Sequence, residues 1–453
     1  LKSLANDLRL AYLLTRGSDR REWWRVTLTA LGAALATGFG LAATVLASLQ
    51  GRYRLPVGNG LLDNPGERSG VILTLLLLLV PVLGFLGQCA RVGAVHRDRR
   101  LAGLRLAGAS VGQVRRIAAL ETGIACLIGS LVVTVFFVLF LLREWHSPSA
   151  LAWAGIALVS LGVPALGALV SVLALRRVVA SPLGWVRRVG PSTGRGPQWV
   201  FLGALALLVL VALAAVAATN MNMPDHTFSH APLTVCGALL AVGAGAVLFS
   251  GGVSKLTGRL LSGRTGNPAA LIAAERLRED PWASARTHAA VLMGTVAGSG
   301  FLGVRAVLVA TMAEPVHLAR PDGFYLAGLN LTAAAILVGF VITLFALAVG
   351  TAESLATRRR GLAAQVAAGV PYEVLGRALL LETALPLLPS LLVAGAGGTG
   401  IAFTYALVLG GGSVLPFDAL LVPVVVFGAC VLAAATSLPL LRRSVRPAEL
   451  RYA

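Results

Sequence analysis

The sequence predicts an all-α polytopic membrane protein with about ten transmembrane helices. Two parallel four-helix repeats are expected, joined by a two-helix insert. Three observations carry this expectation. Hydrophobic residues make up 57% of the chain and charged residues only 13%, where a soluble chain carries about a quarter charged residues. Mean hydropathy is +0.83, and apolar runs recur at the roughly 20-residue length that crosses a bilayer core. A basic segment between two such runs returns, altered, further along the chain.

In chain order the ten candidate spans are 27–49, 71–92, 117–142, 151–175, 199–218, 233–249, 289–309, 331–352, 378–405 and 420–441. Pro81, Pro164, Pro386, Pro389 and Pro423 lie inside them and are expected to kink their helices locally. Cys89, Cys126, Cys236 and Cys430 all fall in apolar runs. They read as small packing residues, and none has metal-type spacing. Polar and basic residues precede the first span and no cleavage-site pattern ends it, so an uncleaved first helix is expected.

The basic residues set the orientation. The net charge is +19. Of the 38 Lys and Arg residues, 32 lie before Arg25 or at it, or in 91–116, 176–195, 255–286, 358–377 and 442–451. The alternate loops hold only Arg52, Arg54 and Arg68, then Arg143, then Arg320, and 220–232 and 410–418 hold none. Lys/Arg-rich loops stay cytoplasmic. An even number of spans with both termini inside satisfies the alternation. This distribution argues for a membrane face and against nucleic acid as a partner. The Ala/Gly/Val/Leu/Arg bias suggests a GC-rich bacterial genome, hence a bacterial cell membrane. The outer loops are short, and the longest covers 50–70, so no extracellular domain is expected.

Two basic amphipathic stretches precede the first and seventh spans, LANDLRLAYLLTRG from Leu4 and NPAALIAAERLREDPW from Asn267. In the second, Asn267 is a candidate N-cap and Pro268 fits the first helical position. Each is expected at the inner interface. An ordinary cytoplasmic helix is the alternative.

Sliding the chain by 261 residues places RDRRLAGLRLAGASVGQVRRIAALET on RRRGLAAQVAAGVPYEVLGRALLLET, with ten of 26 positions identical. Arg97 meets Arg358, Leu101 meets Leu362, Gly108 meets Gly369, Arg116 meets Arg377 and Glu121 meets Glu382. In each copy a basic helix and two spans come before, and two spans come after. The expected organisation is therefore a first unit at 1–175, a linker with spans five and six at 176–255, and a second unit at 256–453. Both units put the basic segment inside, so they are related by an axis along the membrane normal.

These residues resemble the hallmark REIxxLRxLGAS, followed by basic residues and LxxE, of the FtsX-like (MacB-type) ABC transporter permeases. The second copy is a degenerate version. RLREDPWASART, 276–287, is similar to the family's lead into the first span of a unit. The chain departs from many members in having no large domain between the first and second spans of a unit. That puts lipoprotein handover and control of wall hydrolases in doubt. The resemblance implies a separate ABC ATPase subunit, which would hold ATP and Mg, and two docking segments imply two copies per chain. No cofactor is expected in the chain itself.

The candidate docking residues are Arg97, Arg99, Arg100, Leu101, Leu104, Arg105, Gly108, Ala109, Gln113 and Arg116 in the first copy. In the second they are Arg358, Arg359, Arg360, Leu362, Gln365, Gly369, Pro371, Glu373 and Arg377. Arginines offer ion pairs to a partner's carboxylates. Leu101, Leu104 and Leu106 offer apolar contact for a groove, and the glycines give the backbone freedom for a turn. The alternative is that the arginines only set topology and bind anionic membrane lipid. Glu121 and Glu382 near the start of the third span of each unit favour a helix N-terminus, or relay motion from the docking segment.

Other chemistry is sparse. ATP binding needs a Gly-rich loop with Lys then Ser or Thr; the two lysines are Lys2 and Lys255, and GGVSKL around Lys255 lacks that pattern. The letters of GxGxxG at 395–400 sit in an apolar helix with no strand before them, which reads as close helix packing. Arg305 is expected to snorkel toward an interface, or to join a polar patch with Glu314. The loop NMNMPDHTFSH offers thioether and imidazole groups that suit copper(I), against an ordinary outer loop. No nucleophile–base pair is suggested, so the chain is expected to be a transport subunit and not an enzyme. The expected role is to couple a partner's ATP hydrolysis to movement, chiefly export, of a hydrophobic or amphiphilic substrate such as an antibiotic, lipid or peptide. The alternative is mechanotransmission to an extracellular or cell-wall partner with nothing crossing.

Overall fold

The computed structural model describes residues 20–49, 51–52, 60–89, 103–144, 148–174, 227–313, 321–408 and 417–444. These residues form helices and no strand. In chain order the helices are α1 (Arg20–Ser48), α2 (Pro65–Cys89), α3 (Val111–Glu144), α4 (Ala150–Ala174), α5 (Thr227–Ser262), α6 (Pro268–Glu279), α7 (Pro281–Ala313), α8 (Asp322–Thr357), α9 (Arg359–Ala367), α10 (Tyr372–Val408), α11 (Phe417–Ala435) and α12 (Leu438–Ser444). Among the described residues eight helices are long and apolar enough to cross a membrane. The 25-residue α2 occupies the place of the expected second span. The expected fifth span, 199–218, lies outside the described residues. The chain is thus a multi-pass, all-α membrane protein. Its exposed faces agree: Phe136, Leu158, Leu161, Val425 and Leu432 are each more than 60% exposed. Apolar surface so broad is suited to lipid and not to water.

Most spans overrun the apolar runs that announced them. α3 has 34 residues, α8 36 and α10 37. At 1.5 Å per residue a span needs only about 20 residues, so each of these helices continues as a polar stalk. The internal prolines do not break the helices. α10 runs through Pro386 and Pro389, and Ser390 Oγ donates to the Pro386 carbonyl at 2.6 Å.

The chain divides into two compact units near residue 190, with 56–61 grouped in the second. In the first, α1 packs on α2, α3 and α4, and α3 packs on α4. Leu41, Val45, Leu141, Ala152 and Ile156 form its buried centre. Small residues bring the backbones close: a Cβ at Gly129 of α3 would collide with the Ala30 carbonyl oxygen of α1. Gly129→Leu is therefore expected to destabilise this unit by about 3 kcal/mol or more, since a backbone oxygen cannot swing aside. Thermal unfolding of the detergent-purified chain checks this, and an unshifted transition would contradict it. Arg68, 2% exposed, is spent on structure and not on topology. Its Nη1 donates to the Leu49 carbonyl at 3.1 Å, and Nη2 to that of Gly51, capping the end of α1.

In the second unit α7 packs on α8, α10 and α11, and α10 packs on α11. α5 and α6 lie against α7 and α10 as well. Val291, Leu292, Val296, Leu347, Leu387, Leu391 and Val426 fill the centre. The letters of GxGxxG prove to be packing: Gly398 lies in α10 where a Cβ would come 2.5 Å from the Val296 carbonyl oxygen, and Gly395 faces Pro423.

α6 begins as its sequence predicts. Asn267 Oδ1 accepts the Ala269 N–H at 3.0 Å, with Pro268 in the first turn. Its apolar face, however, is covered by protein. Ala269, Ala270, Ala273, Ala274 and Leu277 are buried, and a Cβ at Gly258 of α5 would come 2.9 Å from the Ala274 carbonyl oxygen. An alanine face lets helices approach closely, so it suits a neighbouring helix better than it suits lipid. The counterpart stretch from Leu4 lies outside the described residues.

Candidate functional site: two elbows and their arginine–glutamate ties

Each basic segment folds as a helical turn, a left-handed glycine, and the start of a long helix. Gly108 has φ +95° and Gly369 φ +93°. Both values are in the region that other L-residues avoid. The same three backbone bonds close the two turns. In the first copy the N–H groups of Ala107, Gly108 and Ala109 donate to the carbonyls of Gly103, Arg105 and Leu104 at 3.0, 3.1 and 2.9 Å. In the second, those of Ala368, Gly369 and Val370 donate to Ala364, Val366 and Gln365 at 3.0, 2.9 and 3.0 Å. Each acceptor and donor lies 261 residues from its counterpart. This is a Schellman cap, in which glycine at C′ lets the chain leave one helix and its carbonyls stay satisfied.

Beyond the glycine the two copies diverge. In the first copy Ser110 Oγ accepts the Gln113 N–H at 3.2 Å, and Gln113 Oε1 accepts the Ser110 N–H at 2.8 Å. This reciprocal capping box starts α3. In the second, Pro371 replaces the serine, and its carbonyl accepts the N–H of Val374 at 3.1 Å as α10 begins. Proline cannot supply the side-chain cap but restricts the residue before it to extended backbone. Ser110→Ala should cost about 1 kcal/mol at the first elbow. Hydrogen exchange at the Ala109–Gln113 amides reads this, and unchanged protection there would rule out the cap as the elbow's fastening.

The apolar residues divide by role. Leu104 is half-buried and packs with Ala109 and Val111 against Val114 and Ala118, so it holds the elbow to α3. Leu362 is 2% exposed in a cluster with Leu355, Leu375, Leu379 and Leu441. Leu106, by contrast, is 74% exposed at the tip. Arg105 Nη1 turns back to the Ala109 carbonyl at 3.1 Å. Arg116, Arg377 and Glu373 are exposed, Pro371 is exposed and Arg359 and Gln365 are half-buried. Arg97, Arg99, Arg100 and Leu101 lie outside the described residues, as does the side chain of Arg360.

The two glutamates are ion-paired, not merely placed at a helix start. Glu121 Oε1 accepts from Arg25 Nη2, with side chains 3% and 6% exposed, so α1 and α3 are joined by a buried pair. Glu382 is 19% exposed and takes two arginines. Arg358 Nη1 donates to Oε1 at 2.8 Å, and Arg276 Nη1 to Oε2 at 3.2 Å. Arg358 is also the residue immediately before α9. One carboxylate thus ties α6, the second elbow and α10. Arg25 and Arg276 escaped notice in the sequence, although Arg25 sits 261 residues before Arg286, an echo that marks the mouth of a first span in each copy.

Beside Glu382 is a cleft of about 100 Å³, where α6 ends, α7 begins, α8 ends and α10 begins. His288 lines it, 2% exposed, and its Nδ1 meets no partner among the described residues. Elsewhere, Arg305 Nη1 donates to Asn330 Oδ1 at 3.2 Å, tying α7 to α8; Glu314 lies outside the described residues. The Met/His stretch is outside them through His226, and α5 has begun by Thr227. No group of three or more His, Cys, Asp or Glu able to hold a metal occurs among the described residues. Comparison with family models, with curated proteins and with solved structures finds no match.

Proposed function

We propose that the chain is the membrane-embedded permease subunit of an FtsX-like ABC transporter, with ten spans as two parallel four-helix repeats around a two-helix insert. Separate ATPase subunits, one at each elbow, bind and hydrolyse ATP from the cytoplasmic side. The observation that carries this reading is the pair of elbows with matching backbone bonds 261 residues apart, each leading into a helix that bears an ion-paired glutamate. Shared packing supports it too: α1 meets α2, α3 and α4 in the pattern by which α7 meets α8, α10 and α11.

An elbow with a rigid cap transmits a push, because its helix cannot fray into a loop under load. Closure of the ATPases would move α3 and α10 with the elbows. Through Glu121 and Glu382 that movement reaches α1 and α6. The substrate is hydrophobic or amphiphilic and taken from the bilayer, because short outer loops offer a polar solute nothing to bind.

The test is capture of an ABC ATPase of the same genome by the tagged chain, followed by reconstitution in liposomes. ATP-dependent movement of a fluorescent amphiphile supports transport. Stimulated ATP hydrolysis without movement of any amphiphile would favour mechanotransmission. Failure to capture an ABC ATPase defeats both.

A further inference from the structure

We infer that the cleft beside Glu382 is a binding site for a phosphate group, the phosphodiester of an anionic inner-leaflet lipid headgroup or free phosphate. The inference rests on the orientation proposed above, which puts this end of the second unit at the inner interface.

The charges favour it. Among the described residues Glu382 is the sole partner of both Arg276 and Arg358, and it meets each through Nη1 alone. A guanidinium carries five N–H donors in a planar fork, so one carboxylate leaves most of ten donors to be answered. It also leaves one positive charge, which one phosphodiester balances. The other acid at the cleft, Asp280, is engaged: its Oδ1 accepts the Ala283 N–H at 3.1 Å at the start of α7, where the helix terminus offsets its charge.

The second observation is His288. Its Nδ1 is buried without a partner on the cleft wall, and a buried polar atom left so calls for a ligand or an ordered water. The floor is apolar, with Leu277, Leu347 and Leu379, as suits the glycerol end of a headgroup. The volume of about 100 Å³ admits a phosphate group. Basic pockets between membrane helices on the cytoplasmic side hold such headgroups. A phosphate there competes with Glu382 for the same arginines, so occupancy loosens α6 and the second elbow from α10. In the first unit Glu121 and Arg25 are buried together as a pair, and Arg97, the counterpart of Arg358, lies outside the described residues.

The test uses the full chain in detergent without any ATPase, so its outcome is independent of whether an ABC ATPase is captured. Short-chain phosphatidylglycerol, short-chain phosphatidylcholine and inorganic phosphate are titrated, with binding read by native mass spectrometry and thermal unfolding. Saturable phosphatidylglycerol binding is expected, at least tenfold weaker in R276Q/R358Q. It should be unchanged in Arg278→Gln, whose side chain is 58% exposed and pairs outside the cleft with Glu275. Thr351→Met, which fills the cleft and keeps every charge, should weaken binding similarly and covers the case in which the double variant misfolds. Binding or competition by inorganic phosphate identifies the free anion as the source. Equal affinity for the two lipids, or binding indifferent to both the double variant and Thr351→Met, overturns the inference.

Discussion

Leu106→Asp is expected to abolish recovery of the proposed ABC ATPase with the chain while leaving the chain's own thermal unfolding unchanged. Leu106 is 74% exposed at the tip of the first elbow, so the fold gains nothing from it. A large apolar side chain on a rigid tip is the kind of residue that fills a partner's pocket. Such anchors cost about 2 kcal/mol or more when lost, roughly 30-fold in Kd, and a buried aspartate adds a desolvation cost. The position 261 residues on is Ala367, exposed on α9, so Ala367→Asp should weaken capture by well under tenfold. Leu104→Asp must be distinguished from both. Leu104 packs against Val114 and Ala118, so its loss unfastens the elbow and lowers the unfolding temperature as well as capture. Surface plasmon resonance with the purified ATPase separates the three. Equal losses for Leu106→Asp and Ala367→Asp would show that the two elbows bind alike and that Leu106 is not an anchor.

The sequence displayed the spans because hydropathy tracks the solvent, and lipid is a severe one. It displayed the elbows because a left-handed turn requires glycine, so Gly108 and Gly369 persist where their neighbours diverge. It hid what depends on packing. Leu101, Leu104 and Leu106 look alike as letters, yet Leu104 is clamped to α3 while Leu106 is left outside. The ends of the spans were hidden as well. Polar residues at the base of α10 end the apolar run near 378, but the helix begins at Tyr372, because intrahelical bonds do not require lipid. The partners of the glutamates were hidden for a third reason. Arg25, Arg276 and Arg358 are 96, 106 and 24 residues away from their acids, and no local pattern announces a contact at such separations. α6 is intermediate: its cap was legible in Asn267 and Pro268, and its alanine face suits a helix neighbour, but nothing in the letters named α5 as that neighbour.

Glu121→Gln is expected to lower the unfolding temperature by roughly 10 °C, and Glu382→Gln by only roughly 2–4 °C. The difference arises from burial. Removing Glu121's charge leaves the Arg25 guanidinium, 6% exposed, without its counter-charge; breaking a buried pair in this way costs about 3–5 kcal/mol. Arg358 is 38% and Arg276 16% exposed, so water and salt screen both more than they screen Arg25, and the loss at Glu382 is about 1 kcal/mol. The double variant R25L/E121L should recover most of the lost stability, because two apolar side chains replace two desolvated charges. Equal shifts for the two single variants would refute the assignment of Glu121 as the buried tie. The double variant also separates structure from transmission. With the ion pair between α1 and α3 replaced by apolar packing, a chain that folds and captures the proposed ATPase, in a complex that hydrolyses ATP but no longer moves amphiphile, makes the ion pair a link in coupling. A chain that still moves amphiphile at full rate limits the pair to holding α1 against α3.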